Sequence, residues 1–182
     1  MRLKIISGTL GGRFIQAPSG HVTHPMSERA RGGMFNSLGN LTGKTLLDPY
    51  AGSGAVSFEA ISRGAEFAIM IERDRRAQET ILRNIESLDV ADKVKLIKAD
   101  CRAWSRRNED QTFDIIVLEQ PYGAIDLSTA GLLVKHLKST GIMILSHPGR
   151  ESSLTVNGVV VVDKMRYGDA ALAFYRKEPS KI

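Results

Sequence analysis

The stretch TLLDPYAGSGAVSFEAISRGAEFAIMIERD, residues 45–74, decides the fold. It opens on TLLDPYAG (45–52), a short apolar run that reads as a buried strand. SGAVSFEAISRGA (53–65) follows with helical character and stops at Gly64, and FAIMIERD (67–74) is a second apolar run. Neither run alternates polar and apolar residues. Strands of that kind, joined through a helix, belong to a parallel sheet covered on both faces.

The alternation continues downstream. Residues 75–90 read as a helix whose inner stripe is Ala77, Ile81, Leu82, Ile85 and Leu88. A strand (94–100), a short helix (101–107), a strand running into a loop (113–123), a helix (127–137) and a strand (141–149) follow. The chain closes with two strands, 159–168 and 170–177, around a tight Gly168-Asp169 turn. This predicts an α/β, Rossmann-like fold with a mostly parallel seven-stranded sheet and its last strand inserted antiparallel.

Upstream, residues 2–8 and 12–17 read as a β-hairpin split at Leu10-Gly11-Gly12. Pro18, Gly20 and Pro25 mark a loop. Ser27 is placed to cap a helix over 28–38 that shows Met34, Phe35 and Leu38 on one face. Gly32 and Gly33 weaken that helix. The expectation is a single domain over 1–182. In it a basic N-terminal hairpin, loop and helix (1–44) precede a cofactor-binding core (45–182).

Charge separates these two parts. The chain of 182 residues has a net charge of +5, and residues 1–45 carry six basic residues against one acid, Glu28. The remainder is balanced. A neutral body with a basic end suits a polyanion, because phosphate neutralisation releases counterions; a solubilising segment would look the same. No apolar run reaches about 18 residues, so no membrane span is expected. The opening MRLKIISGTLGG has no long apolar region, so no secretory signal is expected. One cysteine, Cys101, leaves no internal disulfide and no cysteine-based metal site, and a reducing cytoplasm is the expected compartment. No metal-ligand spacing and no Ser-His-Asp elbow occur.

Open α/β sheets bind ligands at the carboxyl ends of their strands. The first core strand ends in Asp48-Pro49-Tyr50-Ala51-Gly52-Ser53-Gly54, whose glycines allow a tight turn and a close approach to a ligand. The next ends at Glu72, close to the spacing of an acid that grips a ribose. The third ends at Asp100, which is suited to an adenine amine or to capping the helix at 101–107. Three acids at successive strand ends favour an adenosine cofactor. Ser57 replaces the third glycine of a dinucleotide fingerprint, and Asp48 would repel a pyrophosphate. Charge matching therefore points to S-adenosylmethionine, a cation, over NAD.

The fourth strand ends in Glu119-Gln120-Pro121-Tyr122, which resembles the DPPY or NPPY motif of amino-methyltransferases. A base amine is a poor nucleophile. A side-chain oxygen and a backbone carbonyl must hold its hydrogens, and an aromatic ring must stack on the flipped base. Tyr122 suits the stacking role, and Pro121 stiffens the loop.

With this motif, the ordered segments IISGTLGGR, HPMSERARGGMFNSL, LLDPYAGSGAVSFEAISRGA, IERD, KAD, FDIIVLEQPY and RYGDAALAFY span both ends of the chain. Together they resemble the RsmD-type family of 16S rRNA guanine-N(2) methyltransferases. The resemblance implies a class I methyltransferase fold with S-adenosylmethionine at Asp48, Tyr50, Ala51, Gly52, Ser53, Gly54, Glu72 and Asp100. It also implies catalysis at Glu119, Gln120, Pro121 and Tyr122, and RNA contacts from Arg13, His24, Arg29 and Arg31. The implied partner is small-subunit ribosomal RNA in an assembly particle, met by a monomer. Glu119 and Gln120 stand where the family has Asp and Pro, His24 where it has Arg, and Gly32 where it has Glu. The longer Glu119 moves its carboxylate by about 1.5 Å on an unchanged backbone, where misplacement by about 1 Å costs on the order of a hundredfold in rate. The alternatives are a non-catalytic RNA-binding homologue, methylation of another base amine, or an NAD-dependent oxidoreductase motivated by the glycine loop alone. Arg102 and Arg106 read as a solvated helix face, Trp104 as packing, Cys101 as a small buried hydrophobe, and His147 as a loop hydrogen-bonder.

Overall fold

The computed structural model describes residues 1–19, 26–120, 125–149 and 154–178. A small antiparallel hairpin, β1 (Arg2–Lys4) and β2 (Phe14–Gln16), precedes helix α1 (Glu28–Leu38). The core then alternates β3 (Thr45–Asp48), α2 (Ala55–Ser62), β4 (Phe67–Glu72), α3 (Arg75–Leu88), β5 (Val94–Lys98), α4 (Cys101–Arg107), β6 (Phe113–Leu118), α5 (Leu127–Leu133), β7 (Leu137–Pro148), β8 (Val159–Tyr167) and β9 (Ala170–Lys177). The seven strands lie in the order β5-β4-β3-β6-β7-β9-β8. The five from β3 to β7 pair in parallel. The last strand, β9, is inserted between β7 and β8 and runs antiparallel to both.

Two apolar layers sandwich the sheet. One joins Leu46, Ala68, Met70, Ile115, Val117 and Ile144 to α2, α3, α1 and the hairpin residues Leu3, Ile5 and Ile15. The other joins Leu47, Ile69, Ile116, Leu118 and Leu145 to α4 and α5. Trp104 packs in this second layer, 4.9 Å from the His136 ring and 6.3 Å from Phe113, and Cys101 is buried beside it.

The N-terminal quarter is packed onto the core. Glu59 of α2 accepts the Ile6 and Ser7 N–H groups at 2.7 and 3.2 Å, and Asn84 of α3 exchanges hydrogen bonds with both Gln16 backbone groups at 2.9 Å. Both side chains are buried, so each replaces water for backbone groups that would otherwise be unsatisfied. Ser27 caps α1 by accepting from Ala30 N–H at 3.2 Å. Gly33 leaves room for Tyr167, whose hydroxyl lies 1.8 Å from where a Cβ would stand.

Two boundaries differ from the sequence expectation. The helix expected over 127–137 ends at Leu133 in a 3₁₀ turn, Val134–His136, and β7 begins at Leu137, four residues early. His136 is buried there between Ser105 Oγ (2.8 Å) and the Gln111 carbonyl (2.7 Å), and Leu137 pairs with Phe113. These tertiary contacts override the local apolar periodicity. The strands expected at 45–52 and 113–123 end at Asp48 and Leu118, because the chain turns outward at the cofactor-side rim.

Candidate active site

A cleft of about 800 Å³ opens at the carboxyl ends of β3, β4, β5 and β6. That volume suits a cofactor or drug-sized ligand. Tyr50, Ala51, Gly52, Ser53, Glu72, Asp100, Glu119 and Gln120 all line it, so residues spread over seventy positions meet in one cavity. Pro121, Tyr122 and His24 lie outside the described residues.

The glycine loop is shaped by backbone demand. Gly52 and Gly54 have φ of +55° and +80°. A Cβ on Gly54 would lie 2.5 Å from the Phe58 ring and 3.1 Å from Met70 Sδ. Glu72 clamps the loop from the next strand. Its Oε2 accepts Gly52 N–H and its Oε1 accepts Asp74 N–H, both at 2.8 Å. Each carboxylate oxygen can accept a second hydrogen bond, and Glu72 lines the cleft, which suits a ribose diol. Asn84 donates to Ser53 O at 3.1 Å and so joins this loop to the N-terminal hairpin.

Asp100 both borders the cleft and caps α4, accepting from Arg102 N–H (2.9 Å) and Ala103 N–H (3.2 Å). Arg102 remains on the solvated face, where it pairs with the similarly exposed Asp126 at 3.4 Å and donates to Ser128, tying α4 to α5.

Asp48 and Gly54 do not line the cleft. Asp48 is 1% exposed beneath the loop and accepts from Ser57 Oγ at 2.9 Å. Ser57, where a dinucleotide fingerprint has glycine, is thus the partner that lets an acid sit there. Burial, reinforced by the charge of Glu72, raises Asp48 to about 7. Burial and the nearby Asp48 charge raise Glu119 to about 8, opposed by the Met26 N–H, which donates to Glu119 Oε1, and by Arg31. Glu119 in the cleft and Asp48 beneath it are therefore two neighbouring carboxyls that resist ionising together.

Gln120 is 2% exposed, and its amide is fully used. Its Oε1 accepts Asp126 N–H at 2.5 Å, and its Nε2 donates to the Asp126 carbonyl (3.3 Å) and the Tyr50 hydroxyl (3.2 Å). Where the resembling family has a stiff proline ring, this chain staples the flanks of the loop with hydrogen bonds.

The expected RNA contacts separate. Arg29 is exposed on α1. Arg13 is exposed, but its guanidinium donates to the carbonyls of Ser87 and Leu88 at the end of α3. Arg31 differs from both: it is 1% exposed and lines the cleft, so it lies away from the exposed surface that carries Arg29 and Arg13. Met26, Ala17, Pro18, Asp126 and Thr129 also line the cleft and were not among the expected residues. Only Asp126 had a local signal, as the cap before Leu127-Ser128-Thr129. The others arrive by long-range packing. No group of side chains suited to a metal ion occurs among the described residues, and no helix there is long and apolar enough to cross a membrane.

This sheet order, with an inserted antiparallel strand and acids at successive strand ends, defines a Rossmann-like fold of the methyltransferase type. Residues 3–176 match the model of the family described as Conserved hypothetical protein 95, and the chain belongs to that family. A Bacillus subtilis relative, "Putative rRNA methyltransferase YlbH", is 32% identical over 96% of this chain and 99% of its own length. Ribosomal RNA small subunit methyltransferase D of Escherichia coli is 28% identical over 66% of this chain and 61% of its own length. Among solved structures, "Putative methyltransferase yhhF" from Escherichia coli superposes with a TM-score of 0.86 over 98% of this chain and 99% of that one, at 24% identity. SMU.776, complexed with SAH, has the same fold, with a TM-score of 0.66 at 17% identity over 81% of this chain and 48% of that one.

Proposed function

We propose that this chain transfers a methyl group from S-adenosylmethionine to the exocyclic amine of a guanine in small-subunit ribosomal RNA. The observation that carries the reading is the convergence of Glu72, Asp100 and the Glu119-Gln120 strand end on one cleft behind a glycine loop. The names of the ribosomal RNA methyltransferase relatives support the substrate class.

The residues fit this cofactor. Glu72 has free lone pairs for ribose hydroxyls, and Asp100 is placed for the adenine amine. The two carboxyls whose ionisation burial opposes, Asp48 and Glu119, are stabilised as anions by a sulfonium and an ammonium and would oppose a pyrophosphate. That electrostatic floor disfavours the NAD alternative. When bound, the cofactor supplies an electrophilic methyl carbon on a positive sulfur. The chain does the rest. Glu119 and the Gln120 carbonyl accept the amine hydrogens and aim the nitrogen lone pair, and the proton released after transfer passes to Glu119 or water. The Gln120 staple keeps that carbonyl in place. Arg29 and the basic N-terminal surface hold the RNA backbone. The partner is an assembling small subunit, met by a monomer in the cytoplasm.

Small subunits from cells lacking the modification, incubated with labelled S-adenosylmethionine, test the reading. Label mapped to a guanine amine supports it. Cofactor binding with no label moves the assignment to a non-catalytic RNA-binding homologue, and label on adenine or cytosine moves it to another base amine. No binding of S-adenosylmethionine refutes it.

A further inference from the structure

Arg31 belongs to the stretch expected to hold RNA, yet it is the largest fully buried side chain among the described residues. A buried guanidinium is costly unless paired. Its Nη1 donates to the Met26 carbonyl at 3.3 Å and its Nη2 to the Lys4 carbonyl at 2.5 Å. Its Nε lies 3.8 Å from Glu59 Oε2 and has no hydrogen-bond partner. Glu59 is itself well satisfied, by Arg63 Nε at 2.7 Å and by the Ile6 and Ser7 N–H groups. The Arg31 charge is therefore only partly neutralised by Glu59, and it borders the cleft that holds Glu119. The two are joined through one residue's backbone: the Met26 carbonyl accepts from Arg31, and the Met26 N–H donates to Glu119 Oε1.

We infer that Arg31 is a positioning residue for Glu119: it anchors the Met26 backbone that grips the carboxyl group, and it places a buried positive charge beside that group. The inference rests on the methyl-transfer reading of the site. The charged groups around the pair are consistent with it. Asp48 on β3 opposes ionisation of Glu119, and Arg31 favours it. Arg31 in turn feels Glu59 from α2, Glu119 from the end of β6 and Glu28 from its own helix.

Carbon-13 NMR of the full chain, labelled at glutamate carboxyl carbons, tests this directly, with the Glu119 signal assigned by its loss in Glu119→Gln. Arg31→Met is expected to raise the Glu119 midpoint by about one pH unit or more, a roughly tenfold weaker acid. Arg31→Lys keeps the charge and is expected to stay close to wild type, as is Glu59→Gln. If Arg31→Met does not fold, the double variant Arg31→Gln/Glu59→Gln removes the buried Glu59 charge together with its partner and carries the same expectation for Glu119. A midpoint unchanged in whichever of these folds overturns the inference. In methyl-transfer assays Arg31→Met moves the acid limb of kcat to higher pH with KM for RNA near wild type. A raised KM with an unmoved limb would mean an RNA contact and also overturns it. Absence of methyl transfer by wild type would sink the functional reading alone, since the NMR midpoint still decides whether Arg31 sets Glu119.

Discussion

Replacing Glu119 by Gln removes a proton-binding group while keeping a side-chain oxygen for the Met26 N–H. In the folded chain burial and Asp48 raise this carboxyl from 4.5 to about 8. Between those values the native state holds a proton that the unfolded chain has released. Ionising the site therefore destabilises the wild type as pH rises through this window, by up to ~1.4 kcal/mol per pH unit. From about pH 5.5 to about pH 7.5 the wild type should lose roughly 2–3 kcal/mol relative to Glu119→Gln, and less if Asp48 carries part of the proton load. Urea unfolding of both proteins at the two pH values measures the difference. Saturating S-adenosylmethionine should shrink it, because a bound cation stabilises the carboxylate. A wild-type-minus-variant stability that does not change with pH would refute the buried-carboxyl argument.

Glu72→Ala removes the acceptor for Gly52 and Asp74 N–H groups as well as the proposed ribose contact. Calorimetry should show S-adenosylmethionine affinity down by about 10–100-fold, as expected for charge-assisted hydrogen bonds. Gly54→Ala must place a Cβ against Phe58 and Met70 at positive φ, so a loss of about 2–3 kcal/mol in urea unfolding is expected together with weakened cofactor binding. Gln120→Ala strips the staple between Tyr50 and Asp126. Single-turnover methyl transfer should fall on the order of a hundredfold with cofactor affinity nearly unchanged, since misplacement by about 1 Å has that effect. A large loss of affinity instead would place Gln120 in the cofactor site.

The acids at the strand ends were legible because parallel-sheet chemistry announces itself locally. An apolar run marks the strand, the first polar residue after it marks the rim, and the fold delivers every rim to one side. Glu72, Asp100 and Glu119 were found this way, and all three line the cleft. Asp48 was legible as an acid but not as a buried one, because its burial depends on Ser57 reaching it from the first turns of α2. The extent of β7 was hidden for a similar reason: the early strand start depends on His136 finding Ser105 and Gln111.

The N-terminal segment marks the divide most clearly. Its basic composition and the Ser27 cap were plain in the sequence, and charge alone is a one-dimensional property that any reader can sum. Whether a given arginine meets solvent or carboxylate is not. Arg29 and Arg31 are two residues apart on one helix, and their positions on opposite faces become decisive only when that helix packs against β1, α2 and the end of β6. Arg29 stays on the surface, while Arg31 is driven inward to Lys4, Met26 and Glu59. Local pattern determined the elements, the sheet and the rim of the site. Tertiary packing decided which charges are desolvated, because desolvation depends on what covers a side chain, and here the covering groups come from distant parts of the chain.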